Sequence, residues 1–80
     1  MKEKDKCILF LQKNGWRCDI DNEEYDSYYK EGYIGVDFDG NKMVFIGENG
    51  DFLYELINCY TLIGVLMEYR QIDCGYASIK

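Results

Sequence analysis

The chain has 80 residues, of which 48% are apolar and 16% aromatic, and its formal net charge is −6 without any histidine or proline. This length fits one domain, residues 1–80, and the abundance of large apolar side chains excludes an intrinsically disordered chain. Histidine is the commonest general base and transition-metal ligand, so we expect no enzyme, no catalytic residue, no metal site and no cofactor.

The first third of the chain predicts a helix, a strand and a loop. Residues 3–14 predict a short helix, because Cys7, Phe10 and Leu11 recur on one face at helical spacing. Residues 16–20 alternate apolar and polar side chains, which is typical of a half-buried strand. Residues 21–32 are polar and rich in tyrosine without a clear period, so we predict a loop, whose unusual length favours a binding role.

The middle of the chain predicts a β-hairpin. Residues 33–38 and 42–47 flank Asp39-Gly40-Asn41, and glycine and asparagine readily adopt the backbone conformations of tight hairpin turns. The turn centres on either Asp39-Gly40 or Gly40-Asn41. Both choices place five apolar side chains on one face, which we expect to be the core: Ile34, Val36, Phe38, Met43 and Phe45. Val44 and Ile46 then lie on the other face, where they need either a covering element or a partner.

The last third predicts a helix over residues 52–70, with Asp51 as its N-cap, and a closing edge strand over residues 71–80. The helix has a broad apolar face and also a second apolar stripe, made of Tyr54, Leu62, Val65 and Tyr69. This stripe predicts self-association into a homodimer unless the first helix covers it. The predicted order is therefore α-β-β-β-α-β, an α+β fold in which helices pack on one face of an antiparallel sheet.

Charge is distributed unevenly along the chain. Residues 1–18 carry five basic and two acidic side chains, a local charge of +3, whereas residues 19–55 carry eleven acidic and two basic side chains, a local charge of −9. This asymmetry favours a basic protein partner over DNA, RNA or an anionic membrane, which the acidic segment would repel. The alternative is a solvated face that only keeps a small protein soluble.

The four cysteines lie at positions 7, 18, 59 and 74. Their spacings match neither a zinc ribbon nor a CxxC redox pair. Residues 1–14 contain only a five-residue apolar run and no small-residue cleavage site, so we expect no secretory leader. We therefore expect free thiols in the cytoplasm.

Tyrosines interleave with carboxylates between residues 19 and 37. Carboxylates can replace nucleic-acid phosphates against Arg or Lys, while tyrosine rings add rigid contact area and accept cation–π contacts. The alternative is that some of these rings fold back over a thin core. The candidate partner-binding residues are Asp19, Asp21, Glu23, Glu24, Tyr25, Asp26, Tyr28, Tyr29, Glu31, Tyr33 and Asp37.

A resemblance to known proteins rests on three features: the acid-rich stretch over residues 19–26, the hairpin around Gly40 and the helix–sheet–helix order. In architecture and composition the chain resembles small acidic inhibitors encoded by bacteriophages, above all anti-CRISPR proteins that mimic nucleic acid. The resemblance implies a stoichiometric inhibitor that blocks a basic, nucleic-acid-binding surface of a bacterial nuclease-type effector in the host cytoplasm. Immunity proteins and antitoxins that cap nucleases share this profile, and a self-associating structural protein is a further alternative.

Overall fold

The computed structural model of the chain describes residues 2–69. Within this range the helices are α1 (Glu3–Lys13) and α2 (Cys59–Glu68), and the strands are β1 (Arg17–Cys18), β2 (Asp26–Tyr29), β3 (Gly35–Asp39), β4 (Lys42–Gly47) and β5 (Gly50–Leu56). The strands form one antiparallel sheet in chain order, β1-β2-β3-β4-β5. The predicted α+β class and the antiparallel sheet are confirmed, while the predicted strand over residues 71–80 lies outside the described residues.

The central hairpin forms as predicted. Asp39 pairs with Lys42, so Gly40 and Asn41 make the two-residue turn, and Gly40 adopts a φ of +62° that suits glycine at the first central position. All five predicted core residues of β3, β4 and the segment before them are buried. The expected core face of the hairpin is therefore confirmed.

Both helices pack on this same face of the sheet. Cys7 and Leu11 of α1 join the core beside Leu62, Val65 and Leu66 of α2. Trp16 closes one edge of the core by donating its indole Nε1–H to the carbonyl oxygen of Ile34 at 3.0 Å. The opposite face of the sheet has no helix on it within residues 2–69.

The predicted loop over residues 21–32 contains a strand, β2. Tyr28 of this strand pairs with Cys18 of β1 and with Val36 of β3. Sequence periodicity missed β2 because it buries two neighbouring side chains, Ser27 on one face and Tyr28 on the other. Backbone pairing on both sides, rather than an apolar alternation, makes this polar segment a strand.

Residues 52–56 belong to β5 and not to a helix, which corrects the predicted element order. Leu53 pairs with Phe45, because a turn between Gly47 and Gly50 folds the chain back onto β4. Helix α2 starts later, where Asn58 replaces the predicted Asp51 as N-cap and accepts a hydrogen bond from Thr61 N–H at 3.0 Å. Over residues 2–69 the order is therefore one helix, five strands and one helix.

Neither helix in that range is long and apolar enough to cross a bilayer.

Candidate functional site

The sheet face away from the helices, here called the open face, carries the candidate site. One row of paired residues crosses it from β2 to β5, formed by Ser27, Asp37, Val44 and Tyr54. Val44 is only 8% exposed although it lies outside the core beneath the helices. Neighbouring side chains on the open face therefore shield Val44 from solvent. We expected Val44 to need a covering element or a partner, and these side chains provide the cover.

A groove of about 240 Å³ lies on the open face. It is lined by Tyr25, Asp37, Asp39, Val44, Asp51 and Tyr54. Three carboxylates and two phenols thus surround an apolar floor. Such a surface offers negative charge and aromatic contact area together, which suits a cationic side chain with an aliphatic stem.

Asp37 is the carboxylate whose environment disfavours ionisation most clearly. Partial burial raises its pKa above the ordinary value of 3.8, a hydrogen bond from the Ser27 hydroxyl lowers it, and the negative charges of Asp51 and Asp19 raise it further. Within residues 2–69 the ion pairs are Lys4–Asp26 and Lys6–Glu3, so no cation of that range pairs with these three carboxylates. A cation brought by a partner would stabilise the ionised groups.

The two phenols of the groove act as hydrogen-bond donors to carboxylates. Tyr54 donates its hydroxyl to Asp51 Oδ2 at 2.7 Å, and this bond is the first cause of a raised Tyr54 pKa. The hydrogen bond between Tyr25 and Glu24, together with the charges of Glu24 and Asp39, raises the pKa of Tyr25 to about 12. Both rings therefore stay neutral at physiological pH and hold their carboxylate partners in place.

The acidic loop, defined as residues 19–25, is fixed by its own side chains. Asp19 Oδ1 accepts from the backbone N–H of Asp21 at 3.1 Å, and Asn22 Oδ1 accepts from the backbone N–H groups of Glu24 at 2.9 Å and Tyr25 at 3.0 Å. The side chain of Asn22 also donates to the hydroxyl of buried Ser27 at 2.7 Å. These short-range bonds are typical of Asx turns, and they give the loop a defined shape before any partner binds.

The structure brings a majority of the predicted partner-binding residues to the open face or to the loop beside it. Asp37 lies on the open face, Tyr25 lines its groove, and Asp19 is close enough to raise the pKa of Asp37. Of the remaining exposed residues, Asp21, Glu23 and Glu24 lie in the acidic loop. Tyr29 at the end of β2 and Glu31 in the following turn instead line a separate groove with Gly15, Arg17 and Lys30.

Three more of the predicted partner-binding residues are placed elsewhere, which corrects their assignment. Asp26 pairs with Lys4 of α1 at 2.6 Å and so lies on the helix-covered side. Tyr28 is buried in the core and packs edge-on against Phe38, with 5.9 Å between ring centroids. Asp26 therefore contacts α1 and Tyr28 contacts the core, and neither residue lines the groove of the open face.

The third, Tyr33, packs edge-on against Trp16, with 5.5 Å between ring centroids, and the Lys30 ammonium lies 4.3 Å from its ring centre. Its ring is therefore already occupied by a cation and an aromatic ring of the same chain. The faces of Asp26 and Tyr28 could not be predicted because the sequence did not indicate β2, whose register with β3 decides them.

The predicted self-association stripe does not exist as a surface. Leu62 and Val65 are buried in the core, Tyr54 lies on β5, and Tyr69 packs edge-on against Phe52 at 5.3 Å between ring centroids. The prediction was wrong because residues 52–56 form a strand and because α1 and α2 share one core.

Sequence reasoning missed Asp39, Asp51 and Tyr54 as residues of the groove. In the sequence, the position of Asp39 fits the hairpin turn and that of Asp51 fits a helix N-cap, so neither residue indicates a groove. The signal that could have placed them is the Gly47–Gly50 segment, since glycines flanking Glu48-Asn49 indicate a second hairpin. That hairpin brings Asp51 and Tyr54 beside β4.

No protein-family model, curated protein or solved structure matches this chain. In the described part of the chain, no three side chains of metal-ligand type come together in a way that could hold an ion. Function is therefore inferred from the chemistry of the open face and the acidic loop.

Proposed function

We propose that this protein is an acidic inhibitor that covers a basic, nucleic-acid-binding surface of a bacterial nuclease-type effector. The observation that carries the proposal is the groove on the open face, where Asp37, Asp39 and Asp51 lie beside two phenols without a cation from residues 2–69. In this proposal the protein acts in the cytoplasm of the cell that contains the effector.

The mechanism is occupation of sites that normally bind phosphates. Arg and Lys side chains of such a surface are spaced to pair with the negative charges of a nucleic-acid backbone. Carboxylates of the open face and the acidic loop would pair with the same side chains, while Tyr25 and Tyr54 supply contact area and cation–π contacts. The effector then cannot bind its nucleic acid.

Two features of the structure support tight association. The acidic loop is already ordered by the Asx turns of Asp19 and Asn22, so binding costs little loop entropy. The partly buried, crowded carboxylate of Asp37 gains a favourable partner when a cation arrives. The charge of residues 19–55 would also steer a basic partner toward this side during diffusion.

The test is a titration of purified effectors with and without this protein. The panel contains RNA-guided nucleases and nuclease toxins, and the readouts are binding and cleavage of labelled DNA or RNA. We expect stoichiometric inhibition of at least one effector, with an affinity that falls steeply as salt rises. Inhibition of a toxin alone would favour the immunity or antitoxin alternative.

Matched variants locate the surface. The open-face variant combines Asp37→Asn with Asp51→Asn, and the control combines Asp5→Asn with Glu68→Gln, which removes the same charge from exposed positions of the helices. We expect the open-face variant to weaken inhibition at least about tenfold and the control to weaken it much less. Equal effects of the two variants would show that net charge, and not the open face, determines binding.

A further inference from the structure

Two thiols from distant parts of the chain lie together between the helices. Cys7 of α1 is fully buried, and Cys59, the first residue of α2, is half-buried. The side chain of Cys59 forms a hydrogen bond with Cys7, and both cysteines are free. Two thiols in hydrogen-bonding contact are close enough to be candidates for a disulfide, which requires Cα atoms about 4.4–6.8 Å apart.

The backbone around these two cysteines is held firmly. Glu3 lies one helical turn before Cys7, and its Oε2 accepts a hydrogen bond from the backbone N–H of Cys59 at 2.7 Å. Asn58 caps α2 through Thr61 and also makes a backbone hydrogen bond to Cys7. The start of α2 is thereby fixed against α1, with Cys59 beside Cys7 in the folded protein.

We propose that Cys7 and Cys59 form an internal disulfide when the protein meets a small-molecule disulfide such as oxidised glutathione. This inference is independent of the proposed function, because the cysteine pair lies among the helices and the groove lies on the open face. Its consequence is a covalent link between α1 and α2 that the reduced cytoplasmic protein lacks.

The reaction proceeds by two thiol–disulfide exchanges. Half-exposed Cys59 reacts first: its thiolate attacks one sulfur of oxidised glutathione, the S–S bond breaks, and one glutathione leaves with the proton that Cys59 lost. Cys7 then attacks the sulfur of Cys59, the mixed disulfide breaks, and the second glutathione leaves with the proton of Cys7. Two electrons pass from the two cysteines to the glutathione disulfide, which is reduced to two thiols.

Burial sets the order of these steps. Desolvation, followed by the nearby Cys59 and Glu3, raises the pKa of the Cys7 thiol to about 11. Cys7 therefore stays protonated and shielded from external reagents, and it reacts only with the sulfur that lies beside it. We expect the second exchange to become faster as pH rises toward that value.

The experiment uses the full chain with Cys18→Ser and Cys74→Ser, so that Cys7 and Cys59 are the only thiols. The protein is incubated with oxidised glutathione at about pH 8, where thiols react readily, and is then denatured and alkylated. We expect both thiols to disappear together, the mass to fall by two hydrogen atoms, and a digest to contain Cys7 joined to Cys59. Closing a loop of about 50 residues should raise Tm by at least about 8 °C, and dithiothreitol should reverse the rise.

The matched control adds Cys7→Ser to the same background. It should stop at a stable glutathione adduct on Cys59, with Tm unchanged. Because a serine at a buried position can impair folding, Cys59→Ser serves as a second control, in which Cys7 should stay free in the native protein. A persistent adduct on Cys59 with Cys7 still present, a disulfide-linked dimer, or two thiols that remain free would each overturn the proposal.

Discussion

The two faces of the sheet are built from alternate residues of the same strands, yet their chemistry is opposite. On the helix-covered face, Val36 and Phe45 are fully buried in an apolar core. On the open face, Asp37 and Val44 line a groove with further carboxylates and phenols. A sheet of this size needs only one apolar face for its stability, so the other face is free to carry charge that makes no contribution to the core.

The largest expected effect on stability comes from substituting two neighbouring residues of β4, one on each face of the sheet. Phe45→Ala should lower the free energy of unfolding by about 3–5 kcal/mol, because it leaves a cavity beneath the helices. Val44→Ala should cost no more than about 2 kcal/mol, because it removes a smaller group from a shallow groove. Urea denaturation followed by circular dichroism measures the free energy of unfolding of both variants. A greater decrease for Val44→Ala than for Phe45→Ala would contradict the assignment of the core to the helix-covered face.

The cap of α2 has the next largest effect. Asn58→Ala removes the side-chain acceptor for Thr61 N–H and should lower the free energy of unfolding by about 1 kcal/mol. The same denaturation measurement checks this value, and Asn58→Asp, which keeps the acceptor, is the control that should retain wild-type stability. An unchanged stability in Asn58→Ala would show that α2 begins elsewhere.

Asp37→Asn should raise the free energy of unfolding and so stabilise the protein, unlike the preceding alanine substitutions. The pKa of Asp37 is raised in the folded state, chiefly by burial, so the folded state holds the proton more tightly and stability falls as pH rises through this range. The asparagine variant avoids that loss, with a gain at neutral pH of less than about 1 kcal/mol after solvent screening.

This gain should disappear as pH falls below the ordinary value of 3.8, where the carboxyl is protonated in both states. Thermal unfolding of Asp37→Asn and the parent protein at several pH values measures the difference. A gain that stays constant with pH, or a destabilised variant at neutral pH, would show that the open face does not disfavour the charge of Asp37.

The smallest effect concerns the ion pair between Lys4 and Asp26 on the helix-covered side. Lys4→Gln should lower the free energy of unfolding by less than about 1 kcal/mol, because the Lys4 and Asp26 side chains are 37% and 57% exposed to solvent. Added salt should reduce the difference between variant and parent in denaturation experiments. A loss above about 2 kcal/mol, about twice the usual upper value for exposed pairs, would mean that this pair is a principal contact holding α1.

The sequence predicted the central hairpin and its core because the turn and the alternation agree there. A turn centred on Asp39-Gly40 or on Gly40-Asn41 assigns the side chains between Ile34 and Ile46 to the same faces, and the structure has the Gly40-Asn41 turn. The class of the fold followed from this hairpin together with the amphipathic pattern of α1. Local signals were sufficient where one short turn connects two strands.

The rest of the site depends on pairings that the local sequence does not specify. Phe52, Leu53 and Tyr54 belong to the helical pattern predicted over residues 52–70, and only their pairing with β4 makes them a strand. A register irregularity at Phe45 and Ile46 then places Asp51 opposite Ile46. The groove needs both features, so the acidic character of the region could be predicted but not which carboxylates would meet.

The most direct test of the open face is the salt dependence of effector inhibition by the parent protein, the open-face variant and the control with Asp5→Asn and Glu68→Gln. If the open face binds the basic surface, the parent and the control should inhibit strongly at low salt and lose affinity steeply as salt rises. The open-face variant should start weaker and show a shallower decline. Identical curves for the open-face variant and the control, or inhibition that does not depend on salt, would contradict the proposed function.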